Sequence, residues 1–330
     1  MKETLKPTNP LETLSDILHD DMAATNKLIL DRLQSDVPLI PKVASYLIAA
    51  GGKRIRPLLT LACGNVFKAD KHKMYGLAAS VEFIHSASLL HDDVVDESDE
   101  RRGQPAANLV FGNHASVLVG DFLFARAFEL MVETGKLRVL ALLSEAARTI
   151  TEGEVLQLVA KGRIDLSYET YLQIIAAKTS ALFGAACASG PALAGADEET
   201  VKAFYDYGYA LGMGFQLRDD VLDYTGNEEK RGKVPGDDFR EGKITGPVIL
   251  ALEKGIEADF WQRVMIDKQQ GKKDFARALD ILGSNGLLEE SEARAAKYAD
   301  QAVQALAQTP NSPIKQTLCE IAHYAVNREA

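Results

Sequence analysis

Two segments place short carboxylates at a spacing that a divalent cation can use: His91-Asp92-Asp93-Val94-Val95-Asp96 and Gln216-Leu217-Arg218-Asp219-Asp220-Val221-Leu222-Asp223. In each, the first and last aspartates are four residues apart, which puts them on one face of a helix. Aspartate is a mediocre helix former, and like charges at that spacing repel. Both segments follow apolar helical stretches, so a merely solvated face is a poor account of them. Oxygen ligands at this density suit Mg²⁺, which takes one or two carboxylates and completes its shell with water and phosphate oxygens. A single copy would read equally well as a frayed acidic helix end. The recurrence favours chemistry: two such clusters on facing helices would hold several Mg²⁺ ions and, through them, a diphosphate.

Cations accompany the aspartates. Gly51-Gly52-Lys53-Arg54-Ile55-Arg56-Pro57 is a basic loop that opens a helix, Arg101-Arg102-Gly103 closes the first acidic helix, and Lys178-Thr179, Lys233 and Lys243 follow. Arginine forks and lysine point charges are the usual diphosphate ligands. Each alone reads as a surface cation. The chain as a whole is acidic, with Lys+Arg 37 against Asp+Glu 47 and a net charge of −10. That balance disfavours nucleic acid and anionic membranes as partners. An anionic substrate would therefore need local cations or metal ions.

The elements that must position these residues read as helices. The eleven prolines leave long proline-free tracts, 58–104, 106–190, 192–234 and 248–309, rich in good helix formers. Helix-period apolar patterns run through 11–34, 39–50, 57–68, 75–97, 114–134, 137–160, 168–188, 198–222, 245–254, 273–283, 289–307 and 313–327. The stretch from Gly76 to Leu90 is apolar nearly all round, as befits the centre of a bundle. No alternating strand pattern and no Asn-Gly or Asp-Gly hairpin stands out. The economical reading is one all-α domain over 1–330, with 1–36 an N-terminal helical segment and 224–243 a lid-like loop. Cys63, Cys187 and Cys319 are far apart in sequence and read as buried thiols of a reducing compartment. Acidic residues interrupt any signal-peptide pattern, and the uncharged run from Ala181 to Ala196 is too short to span a bilayer. The expectation is a cytoplasmic protein without a transmembrane segment.

In order along the chain, the segments Gly51–Pro57, Leu90–Gly103, Gly120-Asp121-Phe122-Leu123, Lys178-Thr179, Gly214–Tyr224 and Gly236–Thr245 resemble the motifs of the trans-type (all-E) prenyl diphosphate synthases. Glu97-Ser98-Asp99-Glu100 after the first cluster resembles the long-chain group that makes quinone side chains, of about eight to ten isoprene units. The resemblance implies the isoprenoid synthase fold, a single large helical bundle with a central cavity, and usually a homodimer. It implies Mg²⁺, three per active site, on Asp92, Asp93 and Asp96 and on Asp219, Asp220 and Asp223. It implies an allylic diphosphate, farnesyl or geranyl, held by Arg101, Lys178, Thr179, Gln216, Lys233 and Lys243. Isopentenyl diphosphate would lie on Gly52, Lys53, Arg56, His85 and Arg102. Asp92, Asp96, Lys178, Asp219 and Lys243 would carry catalysis. Arg218 stands where many relatives are uncharged and would add a positive charge beside the second cluster; Gly246 stands where a larger residue is common.

Small Ala87 and Ser88, before the first cluster, would let a growing chain pass along the helix toward Ile84. Phe128 or Met131 on a neighbouring helix would then form the floor. Phe122, Phe124, Phe128 and Trp261 otherwise read as core. Four rival readings explain less. A shorter-chain synthase would carry aromatic rings near Ala87, and a terpene cyclase would not need the second set of cations. A di-iron bundle built on Glu82-x-x-His85 and Glu320-x-x-His323 leaves both aspartate clusters unexplained. A non-catalytic subunit of a heteromeric synthase would be expected to lose one cluster.

Overall fold

The structure is a computed structural model that describes residues 9–49, 51–226 and 235–329. It is 78% helical, and the all-α expectation holds. The first helices are α1 (Pro10–Ile17), α2 (His19–Arg32), α3 (Leu39–Ala49), α4 (Ile55–Val66) and α5 (Lys71–Val95). After a short hairpin come α6 (Ala107–Phe111), α7 (Asn113–Glu133), α8 (Leu137–Ala160), α9 (Tyr168–Ile175), α10 (Ala181–Ala194) and α11 (Glu198–Thr225). Further helices lie between 237 and 327, the longest of them Leu287–Ala305.

The chain forms two compact units. The first comprises Met1–Ala147, Leu182–Gly208 and Ala305–Ile321. Its centre is α5, whose Leu77, Ala78, Ala79, Val81 and Phe83 are fully buried. The all-round apolar pattern is the cause: no face of this helix can be left to water. Asp70 starts it by accepting the Lys73 N–H at 3.0 Å. The second unit comprises Arg148–Ala181, Tyr209–Gln304 and Ala322–Ala330. Its core gathers Tyr171, Leu217, Val221, Tyr224, Phe239 and Trp261.

Four features depart from the sequence reading. The first is a two-stranded antiparallel ribbon, Glu100–Arg101 against Gln104–Pro105. Its two-residue turn has φ of 55° at Arg102 and 76° at Gly103, the sign pattern of a tight hairpin that Asn-Gly normally supplies. Second, α10 runs through Pro191 rather than stopping before it. Third, Phe128, expected in the core, lies on the outer face of α7 and is 41% exposed; Phe122 and Phe124 are only half-buried, while Trp261 is fully buried as expected. Fourth, one helical stretch, Tyr168–Ala194, is long and apolar enough to cross a membrane, but 72% of its most apolar window is buried inside the protein. It is a core helix, interrupted by a π turn at Ala176–Ser180.

Candidate active site

Within the first unit, Asp92, Asp93 and Asp96 occupy the last turn of α5, with Asp96 as its C-cap. A helix C-terminus carries partial negative charge, so three carboxylates there demand compensating cations. Asp93 receives its compensation from the chain itself. Its buried Oδ1 accepts Nε of Arg101 at 3.0 Å and also accepts Nη2 of the same guanidinium. The Asn108 side chain donates to the Asp93 carbonyl at 3.1 Å, tying the helix end to α6. Asp92 and Asp96 remain half-exposed. His91 is seated by a glycine: a Cβ at Gly120 would lie 2.2 Å from its Nε2. That nitrogen donates to the Val117 carbonyl at 3.0 Å.

The basic loop lies against α5. Gly51 and Gly52 take φ of 87° and 141°. The second glycine is required by contact, since a Cβ there would come within 2.7 Å of the Arg102 guanidinium. Arg54 donates to Glu82 at 2.7 Å. Arg56 lays its guanidinium over the Phe183 ring at 4.5 Å. Burial lowers Arg56 to about 10, opposed by the charge of Glu82 and reinforced by Arg102. Burial holds His85 well below the ordinary histidine value, and Arg56, Arg102, Arg101 and Arg54 lower it further. Glu82 is raised by its own burial against the pull of Arg54, Arg56 and Arg102. The result is a set of guanidinium groups and a neutral imidazole gathered around one carboxylate, a receptor for an anion. Sequence reasoning met Glu82 only as part of a di-iron pattern, and His85 both there and among the residues expected to hold isopentenyl diphosphate. That pattern fails, because Glu320 and His323 are exposed and Glu320 accepts from Gln316 at 2.9 Å.

His85 therefore makes stability depend on pH. Its folded value lies below its unfolded one, so the unfolded chain binds the extra proton as pH falls through about 6.5. The neutral ring's contribution is present above that pH and is lost below it. Thermal unfolding should show the native protein losing more stability between pH 7.5 and 5.5 than His85→Gln does. Equal losses would contradict a neutral His85.

In the second unit, Lys178 and Thr179 sit on the π turn, a rare geometry often found at functional positions. Two glycines make room for the turn. A Cβ at Gly153 would meet Ala177 at 2.5 Å, and one at Gly212 would meet Ser180 at 2.7 Å. Lys178 pairs with Glu154 at 2.7 Å. Thr179 donates to Gln216 at 3.1 Å. Gln216 donates in turn to Asp220 Oδ1 at 2.9 Å, and the Tyr171 hydroxyl donates to Asp220 Oδ2 at 2.6 Å. Burial pushes Asp220 up to about 6 in spite of those two donors. Asp223 is also buried; its carboxylate accepts the Asp238 N–H at 3.1 Å and its carbonyl the Gly236 N–H at 2.7 Å.

Asp219 stays part-exposed and is met by an arginine that sequence reasoning missed. Arg328 donates to its Oδ1 at 3.0 Å and stacks on Phe215 at 3.9 Å. Arg218 does not serve as the extra charge expected beside the cluster. It turns to Glu292 and donates to the Arg328 carbonyl at 3.1 and 2.9 Å. Lys243 pairs with Glu241 at 2.6 Å and lies 3.9 Å from Asp238. Lys233 lies outside the described residues, as does the middle of the segment read as a lid.

Asp92, Asp96 and Asp219 are thus the part-exposed members of the two clusters, and Asp93, Asp220 and Asp223 are buried on protein donors. Among the described residues no group of three or more His, Cys, Asp or Glu side chains could by itself hold a metal. An all-protein cage is not what Mg²⁺ needs; one or two carboxylates beside substrate phosphate fit it.

Comparison with known proteins gives a consistent result. The description of the family "Polyprenyl synthetase" matches residues 37–282. The chain is 43% identical to octaprenyl diphosphate synthase of Escherichia coli over 97% of this chain and 99% of that one. A crystal structure of polyprenyl synthase from Caulobacter crescentus, complexed with calcium and isoprenyl diphosphate, superposes with a TM-score of 0.93 at 50% identity, covering 99% of this chain and 100% of that one. Decaprenyl diphosphate synthase of Rhodobacter capsulatus gives 0.92 at 48% identity, covering 97% and 100%.

Proposed function

Since the chain belongs to the polyprenyl synthetase family, we infer from its residues how it carries out the long-chain prenyl transfer that its full-length similarity to octaprenyl diphosphate synthase supports. It is a prenyltransferase that condenses isopentenyl diphosphate repeatedly onto an allylic diphosphate. The observation that carries the reading lies in the first unit, where α5 bears the part-exposed Asp92 and Asp96 at its C-terminal end and, farther back, Glu82 among Arg54, Arg56 and Arg102.

Asp92 and Asp96 would hold two Mg²⁺ ions and Asp219 a third, with Asp93, Asp220 and Asp223 as buried supports that fix the helix ends. Bound Mg²⁺ would neutralise charge on the leaving diphosphate as a Lewis acid. Lys178, Thr179, Gln216, Lys233 and Lys243 hold the allylic diphosphate by charge and hydrogen bonds. Arg101 orients Asp93 and would add its charge for that diphosphate. Gly52, Lys53, Arg56, His85 and Arg102 bind isopentenyl diphosphate. Burial keeps His85 neutral, so it can donate one hydrogen bond without adding charge. The allylic carbon–oxygen bond breaks with its electron pair on the diphosphate. The double bond of isopentenyl diphosphate supplies the pair for the new carbon–carbon bond. Loss of a proton to the departing pyrophosphate restores a double bond. Apolar side chains exclude the water that would capture the cation.

The product length of eight to ten units, for a quinone side chain, belongs to the same proposal. The protein would act as one synthase domain: boundaries between its compact units, such as 147/148 and 208/209, fall inside helices rather than in linkers. It would act as a homodimer through the outer face of α7. There Leu118, Phe128 and Val132 are 66%, 41% and 63% exposed, at the spacing of a helix-packing seam with Asp121 and Ala125. Phe128 would then be a subunit contact rather than a floor within its own unit. The decisive assay combines purified protein, Mg²⁺, labelled isopentenyl diphosphate and farnesyl diphosphate, with products sized by chromatography. Polyprenyl products of eight to ten units are expected; a cyclised hydrocarbon, or no elongation, would overturn the reading.

A further inference from the structure

The mechanism above makes no use of Phe183, a fully buried ring on α10. It lies under the Arg56 guanidinium, 4.5 Å from centroid to Cζ. The surrounding arginines are held differently. Arg54 gives a donor to Glu82 and Arg101 gives two to Asp93. Hydrogen bonds of that kind consume the N–H groups that would bind a diphosphate. Stacking consumes none, because it uses the face of the guanidinium and leaves the donors in its plane. The Nε of Arg56 is buried and has no hydrogen-bond partner. A buried cationic donor without an acceptor is unfavourable in the empty protein and is satisfied when an anion arrives.

The ring itself is held by its backbone. A Cβ at residue 208 would lie 2.3 Å from the Phe183 carbonyl oxygen, so only glycine lets α11 close on α10 there. Gly208 thus fixes the Phe183 backbone, and the Phe183 ring lies against the Arg56 guanidinium.

We propose that Phe183 is a positioning residue for isopentenyl diphosphate: its ring holds the Arg56 guanidinium flat, by a cation–π contact, with its N–H edge directed to the homoallylic diphosphate. The proposal rests on the synthase reading and deepens it. The contact is specific to one of the two substrates, because Arg56 belongs to the basic loop and not to the Lys178–Gln216 network.

Two measurements test it. Phe183→Leu keeps an apolar side chain but removes the π face. It should raise KM for isopentenyl diphosphate by about 3- to 30-fold, the range of a desolvated cation–π contact, while kcat and the KM of the allylic substrate stay within about two-fold. Replacing Phe183 by mono-, di- and trifluorophenylalanine should raise that KM stepwise, since each fluorine weakens the ring quadrupole while shape changes little. In an Arg56→Gln background the same series should be flat. A flat series in the native background overturns the role of Phe183 if Arg56→Gln alone raises the KM of isopentenyl diphosphate. If Arg56→Gln leaves that KM unchanged, the assignment of the basic loop to isopentenyl diphosphate fails, and the proposal fails with it.

Discussion

Replacing Asp92 or Asp219 by alanine should lower kcat by about 10²- to 10³-fold, the usual cost of removing one electrostatic group matched to a transition state. Asp92, Asp96 and Asp219 are the part-exposed aspartates of the two clusters, and under the proposed function they would hold the metal. Their buried neighbours are committed to Arg101, to Gln216 and Tyr171, and to the Asp238 amide. Circular dichroism should show both variants folded. Removal of Asp219 costs the Arg328 contact, a largely local pair. The loss should therefore appear at saturating substrate and persist at high Mg²⁺. Near-wild-type turnover in either variant would remove the metal role from that residue.

Ala87→Tyr should convert a long-chain synthase into one that stops at three or four isoprene units. A chain anchored at the end of α5 would run back along that helix, where Gly76 to Asp92 offers about 24 Å of wall at 1.5 Å per residue. Ala87 and Ile84 are fully buried, and the Ser88 hydroxyl is folded back onto the His85 carbonyl at 2.9 Å. Ala87 and Ser88 carry small side chains, so neither would block a chain that passes there. Stability separates the two explanations for the small residue. If Ala87 is small for helix packing alone, a phenol there overpacks the core and costs about 1–3 kcal/mol. If it borders a passage for product, the phenol is accommodated and chromatography shows short products with metal dependence retained. A stable, active variant with unchanged product length would show that the chain takes another route.

Much of the fold is legible in the order of residues alone. The helices follow from proline placement and apolar periodicity, signals that are local and additive over many residues. The two aspartate clusters and their cations were visible because each is contiguous or lies four residues apart, a spacing a helix fixes by itself. The Arg102-Gly103 hairpin went unseen because its turn residues are not the common pair, although the φ signs are the usual ones. The π turn under Lys178 had no signal either. It depends on Gly153 and Gly212 coming close from distant parts of the chain.

Residue order alone specifies an all-α chain, two carboxylate clusters on shared helix faces, a basic loop and a family membership. Which charges are buried and which stay part-exposed was settled by packing. It took Asp93, Asp220 and Asp223 out of solvent, turned Arg218 toward Glu292, and brought Arg328 onto Asp219. It set Arg56 on Phe183 and Glu82 among arginines. The physical reason is that burial and pairing are properties of contacts between residues far apart in sequence. A carboxylate's composition and spacing are the same whether it faces water, a guanidinium or a buried tyrosine; its charge, reach and role are not.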